Sequence, residues 1–343
     1  MQLAVVVFNL GGPDSLDAVE PFLKNLFSDP AVIDLPGFVR RPLAALVARR
    51  RAPVAKEIYA RLGGCSPILE ETQRQAAAVE KLLQQRGTDA RVWVAMRCTE
   101  PSSDKAAQDI AAWGADHVVL LPLYPQFSTT TTRSSVEDWT RARTKACLKA
   151  RETLVCCYPT QQGFVDAIAD LIQQTLTRRQ PGVDYRLLFS AHGLPERTIR
   201  KGDPYRWQVE RTVDALVQCL GITDLDWRLC FQSRVGPLKW IEPFADTEIR
   251  KAGVEGKGVV VVPIAFVSEH SETLVELDMD YAALAQEAAV PDYLRVPTAS
   301  THPRFVEGLV DLVEAALAGK SGAICGGAGC PAGLLCGMRE GRQ

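Results

Sequence analysis

Residues 185–195, Tyr-Arg-Leu-Leu-Phe-Ser-Ala-His-Gly-Leu-Pro, and residues 258–281, Gly-Val-Val-Val-Val-Pro-Ile-Ala-Phe-Val-Ser-Glu-His-Ser-Glu-Thr-Leu-Val-Glu-Leu-Asp-Met-Asp-Tyr, decide the fold. Each begins as an apolar run that reads as a buried strand and ends in ionisable side chains. An open parallel sheet presents its ligands outside the carboxyl ends of its strands, which is where those side chains fall. In the second segment Glu269, Glu272, Glu276 and Asp280 recur at intervals of three and four, so a helix would stack four carboxylates along one face. No Lys or Arg intersperses them. Like charges one turn apart repel, and that cost suggests a route for cations or protons leading towards His192 and His270. The alternative is a solvated acidic helix face.

The same alternation of strand and helix patterns fills the chain. Strands are expected at Leu3–Leu10, Arg91–Met96, His117–Tyr124 and Thr153–Tyr158, then at Tyr185–Ala191, Trp227–Gln232, Gly258–Val267 and Tyr293–Val296. The fold class is therefore α/β, with two similar Rossmann-like halves, each a four-stranded parallel sheet flanked by helices, and a cleft between them. The halves are read as 1–180 and 181–318, because Pro181 and Gly182 interrupt a helical pattern within 178–184, and 319–343 is a tail carrying cysteines. Strand ends on this register carry Asn9, Arg97, Tyr124, Gln126, Ser128, His192, Gln232, Ser233, Glu269 and His270.

Composition narrows the function. A length of 343 residues is about two domains, since single cores stop growing near ~250–300 residues. A formal net charge of −2 with scattered Lys and Arg leaves no basic footprint for nucleic acid. Apolar runs fall short of the ~20 residues of a membrane helix, and the N-terminus enters a strand without a basic leader, so cytoplasmic residence is expected. Ten cysteines there should be reduced, structural or metal-bound. Residues 36–51 stand apart: Phe38, Val39, Leu43, Leu46 and Val47 lie between two Arg clusters. That helix could rest on the inner face of an anionic membrane, form a lip over an apolar ligand, or pack on the body.

Several motifs in order resemble those of the ferrochelatases, which insert ferrous iron into a porphyrin at the end of haem synthesis. They are Phe-Asn-Leu-Gly-Gly-Pro at 8–13, Arg-Leu-Gly-Gly-Cys-Ser-Pro at 61–67, Leu-Pro-Leu-Tyr-Pro-Gln-Phe-Ser at 121–128, Ser-Ala-His-Gly-Leu-Pro at 190–195, Gln-Ser-Arg-Val-Gly-Pro-Leu-Lys-Trp at 232–240 and the acidic helix at 267–278. The resemblance implies a porphyrin cleft between two Rossmann-like halves, Fe²⁺ as a substrate, and protoporphyrin IX converted to protohaem. It makes His192 the proton acceptor, the metal ligand or both in turn, and Glu272 the essential carboxylate that binds metal or carries pyrrole protons away. Glu269, His270, Glu276 and Asp280 would extend the metal or proton path. Leu10, Tyr59, Ser66, Arg97, Tyr124 and Trp240 would contact the macrocycle, with Arg97 holding a propionate. The expected partners are the porphyrin, a membrane surface met peripherally through 36–51, and a second copy of the chain in a homodimer.

The chain departs from the family pattern at Cys65, at Cys98-Thr99-Glu100, at Arg133 and at Ser271. Its tail is similar to that of ferrochelatases with a C-terminal [2Fe–2S] cluster. Cys325, Cys330 and Cys336 are three of the four thiolates such a cluster takes. Some relatives supply the fourth from the Tyr-Pro-Gln-Phe-Ser loop, where this chain has Thr129; the candidate here is Cys157, just before Tyr158-Pro159 at the end of a strand, with Cys156 next. Zinc would accept the same thiols. Two other functions fit the residues: a chelatase for another metal or tetrapyrrole, such as cobalt or coproporphyrin III, and a non-catalytic haem- or metal-binding protein.

Overall fold

The computed structural model describes residues 1–319 and 323–325, which leaves Cys330 and Cys336 outside the described residues. The chain divides into two compact units, Met1–Cys157 with Leu309–Cys325, and Tyr158–Gly308. The first unit runs β1 (Leu3–Asn9), α1 (Val19–Phe27), α2 (Gly37–Ala60), α3 (Ile68–Gln85), β2 (Ala90–Met96), α4 (Ser103–Trp113), β3 (His117–Pro122), a π-helical turn (Thr129–Arg133), α5 (Ser134–Lys145) and β4 (Arg151–Cys157). The second runs α6 (Gln162–Leu176), β5 (Tyr185–His192), α7 (Glu196–Arg200), α8 (Tyr205–Leu220), β6 (Trp227–Gln232), α9 (Ala245–Val254), β7 (Gly258–Pro263), a π-helix (Glu272–Asp280), α10 (Tyr281–Glu287) and β8 (Tyr293–Arg295). Helix α11 (Pro303–Ala318) leads back to β9 (Ala323–Cys325) on the first sheet.

All strand pairs are parallel, in the order β2-β1-β3-β4-β9 in one sheet and β6-β5-β7-β8 in the other. The first four strands of each sheet share one plan: the chain leaves a central strand to one side and then crosses to the other. The reversal lies between β1 and β3 in one unit and between β5 and β7 in the other, which is where parallel sheets bind ligands. Every residue of β1 and of β7 is buried, as expected of strands covered on both faces. Each Val or Leu so buried contributes about 1.5–3 kcal/mol. Beneath the first sheet Phe8 meets Trp139 edge to face, and in the second Phe189 meets Trp227 in the same way.

The first sheet differs from the expected four strands by gaining β9 from the tail. The β4–β9 ladder pairs Val155 with Ile324 and then slips, so that Cys157 comes opposite Cys325. The division between units falls at Cys157, earlier than the boundary expected within 178–184. Helix α6 belongs with the second unit because it packs on α8 and approaches α11 through Gly163. A Cβ on Gly163 would lie 2.3 Å from the Arg304 carbonyl oxygen. The helix expected within 36–51 extends to Ala60. Ala44, Ala48 and Ala52 recur four apart, and this small-residue stripe is the buried side of α2, where it lies against α1. Phe38, Val39, Leu46 and Val54 are consequently left exposed. Among the described residues no helix is long and apolar enough to cross a membrane.

Candidate active site

His192 is the last residue of β5 and pairs in register with Gln232 at the end of β6. Gly193 follows, and its N–H donates to the Gln232 carbonyl at 2.8 Å. A Cβ there would lie 3.0 Å from that oxygen and 3.2 Å from the Trp240 ring, so glycine lets the chain pass closely over β6. Beyond β7, Thr273 Oγ1 accepts from the His270 N–H and donates to its carbonyl, each at 3.0 Å, closing the first turn of the acidic helix. From Glu272 to Asp280 that helix is π-wound, where an α-helix was expected. Its hydrogen bonds run i→i+5, so side chains four apart still lie near one another, whereas Glu269 precedes the helix altogether.

The winding brings Glu272 Oε2 to 2.8 Å from His192 Nδ1, with His270 Nε2 3.9 Å from the same oxygen. Trp240 and Phe266 stand edge-on to the His192 ring at 6.3 and 6.5 Å, and Phe266 also lies 4.7 Å from the His270 ring. These contacts fix the plane of the imidazole. Burial opposes a charged His192, but the Glu272 carboxylate outweighs it and raises the imidazole above its ordinary 6.5. Burial likewise works against charge on Glu272, and His192 with His270 reverses it, holding the carboxyl far below its usual range. Each partner thus favours the charged form of the other. The hydroxyl of buried Tyr205 is kept protonated by its burial and by the nearby Glu272 charge.

Glu276 is held by four donors: Ser233 N–H at 2.8 Å, Ser233 Oγ, Gln232 Nε2 at 3.1 Å and Tyr281 Oη at 3.1 Å. Burial, then the neighbouring Glu272 charge, raises its carboxyl above the ordinary value. A cavity of about 180 Å³ opens beside it, walled by Arg234, Phe244, Asp246 and Tyr281. Arg234 lies over the Phe244 ring at 4.2 Å and pairs with Asp246 at 2.7 Å. Asp280, at the end of the π-helix, is exposed.

One expectation is corrected here. Glu269 does not stand in the row of carboxylates: Arg295 of β8 pairs with it at 2.6 Å and the Thr298 N–H donates to it at 3.0 Å. Arg295 also binds Asp278, supplying from another strand the cation that the acidic segment lacks. His270 Nδ1 lies 3.0 Å from the Ser268 carbonyl, and its Nε2 faces Glu272. Phe266, Tyr281 and Arg295 had no sequence signal, since an aromatic, a tyrosine and an arginine beyond the motif are ordinary core or surface residues.

In the first unit Arg97 pairs with buried Asp29 at 2.8 Å and donates through Nε to Ser134 Oγ at 2.7 Å. Its charge is thus already met within the unit, where the expectation was a propionate partner. Tyr124 follows β3 with its hydroxyl buried, and burial pushes that phenol strongly upward. Tyr59 is buried in the cluster between α1 and α2, and Leu10 packs against the same cluster. Ser66 donates its N–H to the Pro13 carbonyl at 2.8 Å and lies under Gly12. Cys98, one of the departures from the family pattern, is buried, and burial pushes its thiol up to about 12.

The ferrochelatase family model matches residues 2–317. The chain belongs to the ferrochelatase family. It is 49% identical over 345 residues to a ferrochelatase of Caulobacter vibrioides, covering 99% of this chain and 98% of that one. It is 52% identical over 334 residues to a ferrochelatase of Phenylobacterium zucineum, covering 97% and 96%. Among solved structures it is similar to the sirohydrochlorin chelatase SirB of Bacillus subtilis subspecies spizizenii in complex with cobalt, with a TM-score of 0.54 and 13% identity over 92% of this chain and 96% of that chain. The SirB likeness concerns the fold, and it agrees with two Rossmann-like halves.

The imidazole–carboxylate contact of this ferrochelatase-family chain has a definite pH signature. A raised His192 contributes stability in full below the unfolded imidazole value of about 6.5, and that contribution is lost as pH rises through the folded value. A depressed Glu272 contributes above the unfolded carboxyl value of about 4.3, and loses it as pH falls through the folded one. The pair therefore stabilises most between those two limits. Ring-proton NMR should place the His192 midpoint above 6.5 in the wild type and lower in Glu272→Gln. The melting temperatures of the two proteins should differ more at pH 5.5 than at pH 8.5.

Proposed function

We propose that this chain is a ferrochelatase that inserts Fe²⁺ into protoporphyrin IX, forming protohaem and releasing the two pyrrole protons. The single observation that carries the reading is the 2.8 Å contact between His192 at the end of β5 and Glu272 after β7. With Nδ1 held by Glu272, Nε2 is the ring nitrogen that meets the macrocycle. A neutral imidazole accepts a pyrrole proton there, and the Glu272 carboxylate at Nδ1 stabilises the imidazolium that forms until its proton leaves to solvent. The same two groups offer a nitrogen and an oxygen to Fe²⁺. Among the described residues no group of three or more His, Cys, Asp or Glu could hold a metal. Two weak ligands suit a metal in transit, which exchanges them for four pyrrole nitrogens.

Leu10, Tyr59, Ser66, Arg97, Tyr124 and Trp240 remain the porphyrin-contacting residues of this reading. Arg97, locked to Asp29, would act on a propionate through its remaining N–H donors. The exposed Phe38, Val39 and Leu46 among Arg40, Arg41, Arg49 and Arg50 support peripheral contact of 36–51 with an anionic membrane. Anaerobic incubation of the wild type with Fe²⁺ and either protoporphyrin IX or coproporphyrin III, followed by metalloporphyrin absorbance, tests the substrate. Faster turnover of protoporphyrin IX is expected. Preference for coproporphyrin III would overturn the substrate, and turnover of neither would overturn the activity. Glu272→Gln should lose most activity while its porphyrin dissociation constant changes little.

A [2Fe–2S] cluster on Cys157, Cys325, Cys330 and Cys336 completes the reading. The parallel register of β4 with β9 supports it, because adjacent strands lie about 4.8 Å apart and Cys157 stands opposite Cys325. When bound, the cluster supplies a metal clip that links metal binding to folding of the tail. Anaerobically purified protein should be reddish brown with about two irons and two sulfides per chain. Cys336→Ser and Cys157→Ser should both bleach it and lower the melting temperature; colour retained in Cys157→Ser would move that ligand to Cys156.

A further inference from the structure

Gln232 ends β6 with its side chain buried. Its Oε1 accepts from Ser190 Oγ at 2.7 Å, and its Nε2 donates to the main-chain carbonyl of Glu272 at 3.0 Å and to the Glu276 carboxylate at 3.1 Å. The neighbours decide which end of the amide is which. A carbonyl and a carboxylate cannot donate, so the NH₂ group must face them and the hydroxyl must meet the oxygen.

The Glu272 carbonyl belongs to the first residue of the π-helix, where an α-helix would spend it on its own ladder. Engagement of that carbonyl by a donor from outside accompanies the local widening, as inserted side chains do in other helices. The next residue, Ser233, sits in the left-handed region at φ 65°, a strained conformation for a non-glycine residue. That conformation aims both its N–H and its hydroxyl at Glu276. Gln232 and Ser233 thus grip the π-helix twice, one turn apart. Because His192 pairs with Gln232 in register, the imidazole and the carboxylate of the site are referred to the same residue.

We propose that Gln232 is a positioning residue of the metal-insertion site: its amide sets Glu272 opposite His192 by holding the Glu272 main chain and, with Ser233, the Glu276 carboxylate. The inference rests on the reading of His192 and Glu272 as the pair that moves protons or metal. Displacement of a reacting group by about 1 Å can cost a hundredfold in rate, so one strut can matter to turnover while touching no substrate.

Gln232→Met keeps the side chain's length and removes its three hydrogen bonds. Expected are a fall in kcat of about tenfold or more, porphyrin KM and dissociation constant within about twofold of wild type, and a His192 NMR midpoint shifted down towards the ordinary imidazole value. Gln232→Glu keeps the Ser190 bond but turns an acceptor towards two acceptors, and should lose at least as much kcat. A merely structural role would leave the His192 midpoint in place. Unchanged kcat together with an unchanged midpoint in Gln232→Met overturns the proposal. If that variant fails to fold, Ser190→Ala decides: a lowered kcat with normal porphyrin affinity supports the strut, and wild-type kcat overturns it. Absence of metal insertion by the wild-type protein would sink the functional reading alone, and the His192 midpoint would still judge the positioning role.

Discussion

The contact between His192 and Glu272 constrains everything around it. Each partner is a partly buried charge, and each is offset by the other. The contact joins the end of β5 to the helix after β7, across the reversal of the second sheet. Its geometry therefore depends on the sheet, on the glycine that lets the chain cross β6 after His192, and on the unusual winding that carries Glu272. Trp240 and Phe266 restrict the ring from its edges. The contact raises the imidazole, and a protonated ring can neither accept a proton nor bind a metal, so the contact that builds the site also shifts upward the pH range in which the ring can act.

A row of acids leading to that pair is a simpler idea than the structure supports. Glu272 is paired with histidine, Glu276 is held by four donors, Glu269 is given to Arg295, and Asp280 alone is exposed. Like charges are thus separated by donors and a cation that come from other strands. A cavity beside Glu276 leaves room for water near the row.

The eight principal strands were legible because each is a short apolar run bounded by turn residues, and both sheets follow from alternation with helices. Strand β9 was not, since Ala323–Cys325 is three residues in a glycine-rich stretch and its pairing is decided by β4. His192 and Glu272 could be found from motif and strand position. The π winding could not, because the outside hydrogen bond at the Glu272 carbonyl comes from Gln232, forty residues earlier. The Arg295–Glu269 and Arg97–Asp29 pairs are equally long-range. Local sequence reports that a charge exists, while tertiary packing decides which partner takes it.

The central claim is that the His192 imidazole acts on the reaction itself. It is tested most directly by a single-turnover measurement in which porphyrin-loaded protein is mixed anaerobically with Fe²⁺ and metalloporphyrin absorbance is followed in time. His192→Ala, shown by circular dichroism to be folded, should bind porphyrin as the wild type does and form metalloporphyrin slower by about a hundredfold or more. A single-turnover rate within twofold of the wild type would contradict the account.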